Sequence, residues 1–156
     1  MQNEWFECKV RYEKTLENGL VKKVTEPYLV EALSFTEAEK RFIEEIEPFM
    51  SGEFQVTDIK RAKYAELFET VEDSADRWFK AKVAFITLDE KSGVEKKSNQ
   101  NMLIQASDLR DAVKRLDKGM EGTMADYEIA SIADTPIMDV FHYRAHIDEK
   151  PEFPEA

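Results

Sequence analysis

Paired basic residues are the side chains whose type and spacing best suggest chemistry. Lys and Arg bind phosphate oxygens, and two rows of them could follow a nucleic-acid backbone. The chain nevertheless has 33 Asp and Glu against 22 Lys and Arg, a formal net charge of -11. That acidity disfavours nucleic acid and favours lysines that are solvated or paired with glutamates. The candidate contacts for phosphate or a partner are Lys22, Lys23, Lys40, Arg41, Lys96, Lys97, Lys114 and Arg115.

Three aromatic residues offer a second route to nucleic acid. Trp5, Trp78 or Tyr28 could stack on bases if they were exposed. In the predicted strands, however, the two tryptophans fall on the face opposite Phe6 and Phe79. We therefore expect them to cover the outer side of a sheet or to lie in an interface.

Cysteine and histidine are the candidates for nucleophilic or metal chemistry. Cys8 could pair with His142 or His146, but it shares an apolar face with Phe6 and its neighbours, so we expect a buried thiol. His142 and His146 are four residues apart, with Asp148 close behind. In a strand that spacing separates two side chains by roughly 13 Å, which disfavours a zinc site. The chain also lacks a Gly-rich phosphate loop and a GxSxG motif, so we predict no catalytic residue, metal or cofactor.

The elements that carry these residues begin with two strands. Residues 5 to 14 alternate between apolar and polar side chains, which predicts a half-buried strand. Residues 17 to 19 give a turn signal, and residues 20 to 32 form the next extended segment. Because Pro27 cannot donate a ladder hydrogen bond, we expect this second strand to be an edge strand or to begin near the proline.

A helix and further strands follow. Ser34 and Glu37 form a capping box, which predicts a helix from about residue 35 to 47 that ends at Pro48. Residues 54 to 59 suggest a third strand. An extended piece at residues 64 to 69 either continues that strand or forms a fourth.

The whole pattern then appears a second time. Trp5, Phe6, Lys9 and Val10 recur 73 positions later, and after the turn at Lys91-Ser92-Gly93 the offset becomes 74. Asp108 takes the capping place of Ser34, and the final strand at residues 137 to 143 carries Phe141 where the first copy has Phe68. Because the matches keep their order across caps, turns and inward positions, they indicate duplication of a whole ββαβ unit. The recurring pairs are Trp5/Trp78, Phe6/Phe79, Lys9/Lys82, Val10/Val83, Gly19/Gly93, Leu29/Leu103, Ala32/Ala106 and Ala38/Ala112.

We therefore predict an α+β fold made by tandem duplication of a ββαβ unit, with antiparallel sheets and one helix per unit. A single unit of this size buries little surface, so we expect the two to pack as a pseudo-twofold pair. The predicted boundaries are a first repeat at 4–69, a linker at 70–77, a second repeat at 78–143 and an acidic, proline-containing tail at 144–156.

Two stretches carry a resemblance to known families. Trp5-Phe6-x-Cys8-Lys9-Val10-x-Tyr12, with residues 28 to 39, resembles a bacterial domain of unknown function over most of residues 4 to 143. That resemblance implies no activity, cofactor or catalytic residue. Each unit also resembles the ββαβ module of an archaeal and eukaryotic large-subunit ribosomal protein, through Val30-Glu31-Ala32 and Ala38. That protein is basic, whereas this chain is acidic.

The sequence thus leaves three functional hypotheses. The first is a non-enzymatic protein-binding or adaptor module, a monomer or homodimer. The alternative is a nucleic-acid or ribosome-associated module that uses the paired basic residues, and the third is an enzyme with a site between the repeats. With one cysteine and no apolar run near the roughly 20 residues that span a bilayer, we expect a reduced, cytoplasmic protein that binds no membrane.

Overall fold

The computed structural model describes residues 3–143 and confirms the α+β class with two ββαβ units. Within residues 3–143, no helix has the length and apolar character needed to cross a membrane. The elements are β1 (Glu4–Thr15), β2 (Val21–Ala32), α1 (Phe35–Ile46), a 3-10 turn (Glu47–Phe49), β3 (Phe54–Ala62), β4 (Glu66–Phe68), β5 (Arg77–Leu88), β6 (Glu95–Ala106), α2 (Leu109–Gly119), β7 (Asp126–Thr135) and β8 (Val140–Phe141).

The strands form two four-stranded sheets of the same design. The first has the order β3-β1-β2-β8, and the second has the order β7-β5-β6-β4. In each sheet the first three strands are antiparallel, and the short fourth strand is parallel to its neighbour. The packing of the units about a pseudo-twofold axis stays a prediction.

The fourth strands are exchanged between the two units. Val140 of β8 pairs with Leu29 in the first sheet, and Glu66 of β4 pairs with Met102 in the second. Of the described chain, residues 3–62 and 137–143 therefore form the first unit, and residues 63–136 form the second. The division falls at 62/63 and 136/137, whereas the predicted boundaries placed 63–69 in the first repeat, 70–77 in a linker and 137–143 in the second repeat.

Strand direction explains this exchange. β3 and β8 are both parallel to β2, so a chain that left β3 to fill the place of β8 would join two parallel strands. Such a crossover takes about a dozen or more residues. Only residues 63–65 separate β3 from β4, and four residues separate β7 from β8. Each connection is too short to return to its own sheet.

One helix covers one face of each sheet and closes a core. In the first unit, α1 contributes Phe42 and Ile46, which pack on the inward residues of β1 and β2 as the alternation predicts. The second core repeats this arrangement under α2. The buried residues are Phe6, Cys8, Val10, Val30, Ala32, Ala38, Phe42 and Ile46 in the first, and Phe79, Ala81, Val83, Met102, Ile104, Ala106, Ala112, Leu116 and Met120 in the second.

Both helices begin at the predicted caps. The Ser34 hydroxyl accepts a hydrogen bond from the Glu37 amide at 3.1 Å, and the Asp108 carboxylate accepts one from the Asp111 amide at 2.8 Å. Glu37 also reaches back and accepts from the Leu33 amide at 2.6 Å. The bonds to Ser34 and Asp108 satisfy amides in the first helical turn, which have no partner within the helix.

The expectation that β2 is an edge strand is wrong. It lies between β1 and β8, and it begins at Val21, well before Pro27. The proline is tolerated because β8 covers only Leu29 and Val30, so no ladder donor is required at Pro27 on that side. The Pro27 carbonyl still accepts from the Met138 amide at 2.9 Å.

Candidate functional site

The basic residues of the first unit do not form one strip. Lys22 and Lys23 lie at the start of β2, where Lys22 is opposite Lys14. Arg41 donates to the backbone carbonyl of Glu31, near the other end of the same strand. Glu31 is nine positions after Lys22, which is about 30 Å along a strand at about 3.3 Å per residue. The predicted phosphate contacts are thus spread along the unit.

Arg41 is held by contacts within the fold. Its guanidinium donates to the His142 carbonyl at 2.6 Å and lies 3.7 Å from the Glu45 carboxylate. It also lies 5.5 Å from the ring centre of Tyr143. Only 11% of the side chain is exposed. Arg41 therefore fastens the chain that follows β8 to α1 and β2.

Arg115, its counterpart in the second unit, has a similar role. It pairs with Asp111 at 2.8 Å and with Glu72 at 3.0 Å, and Glu72 lies in the chain that follows β4. The hydrogen bond from Arg115, with a further one from the Ser107 amide, holds the pKa of Asp111 below its usual value. The remaining predicted contacts, Lys22, Lys23, Lys40, Lys96, Lys97 and Lys114, are exposed. Of these, Lys97 pairs with Glu128 at 3.3 Å.

A second pair of equivalent residues anchors the exchanged strands. Glu31 accepts a hydrogen bond from the Tyr143 amide at 2.9 Å, and Gln105 accepts one from the Thr70 amide at 3.0 Å. The side-chain amide of Gln105 also donates to the Ala75 carbonyl at 3.0 Å. The sequence alone did not indicate this anchoring role for either residue. Their signal is a polar side chain at the same place in both copies, flanked by buried apolar residues.

Cys8 is a core residue. It is fully buried, and this burial, reinforced by nearby carboxylates such as Glu7, raises the pKa of its thiol to about 12. A thiol with this pKa is almost entirely protonated at neutral pH, which makes it a poor nucleophile.

The histidines do not form a metal site in the described chain. The His142 ring lies 3.6 Å from the Glu31 carboxylate and meets Trp5 edge to face at 5.3 Å. His146 and Asp148 lie outside the described residues. Between residues 3 and 143, no three His, Cys, Asp or Glu side chains are grouped so that they could hold a metal ion.

An open groove of about 770 Å³ lies at the hairpin end of the first unit. It forms there because β1 continues past its last pair with β3, Tyr12 with Phe54, so residues 13–15 have no strand on that side. The chain at residues 51–55 makes the opposite wall. We call this cavity the hairpin groove. It is lined by Arg11, Tyr12, Glu13, Thr15, Val21, Lys23, Ser51, Gly52, Glu53, Phe54 and Gln55.

Large exposed apolar side chains occur at this end of the first unit. Phe49 is 77% exposed and lines a smaller adjoining cavity of about 190 Å³ together with Thr15. Leu20 is 63% exposed in the turn between β1 and β2, where its carbonyl accepts from the Leu16 amide. Val21 lines the groove and is also exposed. We call Leu16, Leu20, Val21 and Phe49 the hairpin-end patch.

The family described as domain of unknown function DUF4494 matches residues 4–143. The chain belongs to this family. The predicted membership of an uncharacterised family is thereby confirmed. A search of curated proteins found no match.

The two repeats of this DUF4494 chain differ at the hairpin groove. Where the first repeat has exposed Arg11, the second has Ala84, which is only 3% exposed. Where the first has Glu13, the second has half-buried Ile86. Both copies adopt the same fold, so the fold does not require a charged residue at either position.

Proposed function

We propose that this domain is a non-enzymatic protein-binding module and that its hairpin-end patch contacts a partner protein. The observation that supports this function is the set of exposed apolar side chains at the hairpin end, of which Val21 lines the groove and Phe49 lines the adjoining cavity. Exposed apolar side chains that lie together on a protein surface are typical of an interaction site. The single unpaired cysteine supports our further proposal that the protein acts in the cytoplasm.

The patch offers binding energy that the folded unit does not use. Phe49 and Leu20 both expose more than half of their surface. Burial of one such side chain in an interface is worth about 1.5–3 kcal/mol if it becomes fully covered. Two or three of them would provide an anchor for a partner protein.

The competing functions have less support. A nucleophilic enzyme site has no support from Cys8, because its thiol is buried and protonated. Phosphate binding by the paired basic residues has less support because Arg41 and Arg115 are occupied by contacts within the fold. We therefore keep nucleic acid as an outcome that the experiment must distinguish.

Photo-cross-linking in the native host tests the proposal. A benzophenone amino acid would replace Phe49 or Leu20 in the full chain, and a matched control would carry it at exposed Lys40 on α1. We expect a protein adduct from positions 49 and 20 that is absent at position 40. An adduct removed by nuclease and resistant to protease, or no adduct at either patch position, would contradict the proposal.

A further inference from the structure

Two cations in the hairpin groove lack a partner in the described chain. Arg11 and Lys23 are both exposed and line the groove, yet neither makes an ion pair or side-chain hydrogen bond within residues 3–143. They lie on neighbouring strands, because Arg11 is opposite Thr25 and Lys23 is opposite Glu13. Residues in such diagonal positions have their Cα atoms about 7–8 Å apart on one face of a sheet. One carboxylate could therefore contact both side chains.

In the second repeat the equivalent lysine is neutralised within its own sheet. There Lys97 of β6 takes the place of Lys23, and it pairs at 3.3 Å with Glu128 of β7, which lies on the far side of β5. In the first repeat the residue equivalent to Glu128 is Gln55, which carries no charge. Lys23 thus loses the partner that its counterpart has, and Arg11 adds a second cation beside it.

The shape of the groove favours an extended occupant. Residues 13–15 of β1 have no strand on the side that faces residues 51–53. An extended peptide can add to such an edge through main-chain hydrogen bonds, while its side chains fill pockets on either face. The edge is short, so only a few residues of a partner would be ordered there.

We infer that the hairpin groove binds an extended segment of the partner protein and that Arg11 and Lys23 seat one carboxylate side chain of that segment. This inference rests on the proposed function. The Arg11 guanidinium supplies planar, paired donors that match a carboxylate, and Lys23 supplies a second positive charge. The adjacent hairpin-end patch contacts the apolar residues of the same segment.

The remaining charges of the groove select against nucleic acid. Glu13 and Glu53 also line it, and the whole chain has a net charge of -11. A nucleic acid carries a phosphate at every nucleotide, so some of them would lie against these carboxylates. A peptide with a single carboxylate avoids that repulsion.

A random 12-residue peptide display library, selected on the immobilised full chain, provides the probe. Selected peptides would be synthesised and their affinity measured for the wild type, for Arg11→Ala and for Lys23→Gln. Arg11→Ala installs the residue that the second repeat carries, and Lys96→Gln removes an exposed cation of the second unit as a matched control. A 12-nucleotide single-stranded RNA would be tested in parallel.

We expect the selected peptides to share one Asp or Glu within an apolar sequence. Arg11→Ala should weaken their binding at least about tenfold, as expected for loss of a charge-assisted pair, and Lys96→Gln should change it less than about twofold. Peptides without an acidic preference, or binding that Arg11→Ala and Lys23→Gln leave unchanged, would overturn the inference. If, in that case, Phe49→Asp abolished peptide binding, the inference would be wrong but the proposed protein-binding function would be retained. Failure to select any peptide would count against both the inference and the proposed function. RNA binding that depends on Arg11 would show that the groove binds nucleic acid, which would overturn the inference.

Discussion

Arg41 and Arg115 illustrate at the scale of single residues how a duplicated side chain acquires its role. Each fastens the chain that follows an exchanged strand, Arg41 through the His142 carbonyl and Arg115 through Glu72. They recur because each unit needs that fastening. Arg11 has no such counterpart, since the second copy folds with alanine there. Residues that differ between copies are therefore more informative about binding than residues that recur.

Gln105 gives a prediction at this scale. It accepts from Thr70 and donates to the Ala75 carbonyl, and it is part-buried. Gln105→Glu keeps the acceptor but removes the donor and places a carboxylate against that carbonyl. We expect the free energy of unfolding of the second unit to fall by about 1–3 kcal/mol, measured by urea denaturation.

Glu31→Gln is the matched control for this change. The contact that Glu31 shares with Gln105 is the hydrogen bond it accepts, from the Tyr143 amide, and a glutamine oxygen can accept this bond too. We expect the free energy of unfolding of the first unit to fall by less than about 1 kcal/mol, because the other partner of the Glu31 carboxylate is half-exposed His142. If Gln105→Glu and Glu31→Gln lowered the free energy of unfolding equally, the anchoring role of the Gln105 amide group would be wrong.

At the scale of elements, the end of α2 is shaped to receive β4. A methyl group added at Gly119 would lie 2.6 Å from Cε1 of Phe68, too close for real contact. At helical positions alanine is normally more favourable than glycine, by up to about 1 kcal/mol in a helix interior and by less at the last residue. Here we expect Gly119→Ala to destabilise the second unit by about 1–3 kcal/mol instead, because the Phe68 ring must move. Amide hydrogen exchange in β4 and its partner β6 should quicken.

Gly52→Ala tests whether this effect comes from the contact. A methyl group at Gly52 would meet nothing within 4 Å, and its φ is not in the left-handed region. We expect the free energy of unfolding of this variant to stay within about 0.5 kcal/mol of the wild type or to rise slightly. A fall as large as that of Gly119→Ala would refute the steric explanation.

Most elements could be predicted from local patterns. Alternation gave the long strands, and Ser34 and Asp108 gave the helix starts, because caps and inward faces depend on neighbouring residues. The destination of β4 and β8 could not be predicted in this way. A strand of two or three residues has too little pattern to specify its sheet, and the limit on its connection becomes visible only when strand directions are known.

The candidate site was less predictable than the fold. Lys23 was predicted from the sequence as a candidate contact, but Arg11 and the hairpin-end patch were not. The hairpin groove exists because β1 extends beyond its last pair with β3, and residue periodicity does not reveal where pairing between two strands stops. A residue-by-residue comparison of the two repeats would have shown that Ala84 occupies the position equivalent to Arg11.

At the scale of the whole molecule, ionisable core groups are concentrated in the first unit. Burial raises the pKa of Cys8, Tyr12 and Tyr28 to about 12, from ordinary values of about 9 for the thiol and 10 for the phenols. The hydrogen bond from Tyr12 to Glu26 adds to this shift. The equivalent residues of the second unit, which do not titrate in this range, are Ala81, Phe85 and Met102.

This asymmetry predicts that alkaline pH destabilises the first unit selectively. A group whose pKa is raised in the folded state stabilises that state fully below its unfolded pKa. That stability is lost as pH rises from about 9 towards 12. We expect the urea midpoint of the first unit to fall more steeply over this range than that of the second.

Each unit contains one tryptophan, so the two midpoints can be measured separately. Trp5 reports the first unit in Trp78→Phe, and Trp78 reports the second in Trp5→Phe. A double variant, Cys8→Ala with Tyr12→Phe, installs the residues of the second repeat. It should reduce the difference between the two units in how steeply the urea midpoint falls with pH. Equal pH dependence of the two midpoints in the parent chains would show the prediction to be wrong.

The exchange of fourth strands also fixes when each unit can be completed during synthesis. The second unit receives β4, which the ribosome has already made before β5 begins. The first unit receives β8, whose last residue is Phe141 and which is made after all the other described strands. The portion synthesised first is therefore finished last. Until then the backbone of Leu29 and Val30 remains an open strand edge in the nascent protein, at the stage when a chaperone or a neighbouring nascent chain could pair with it.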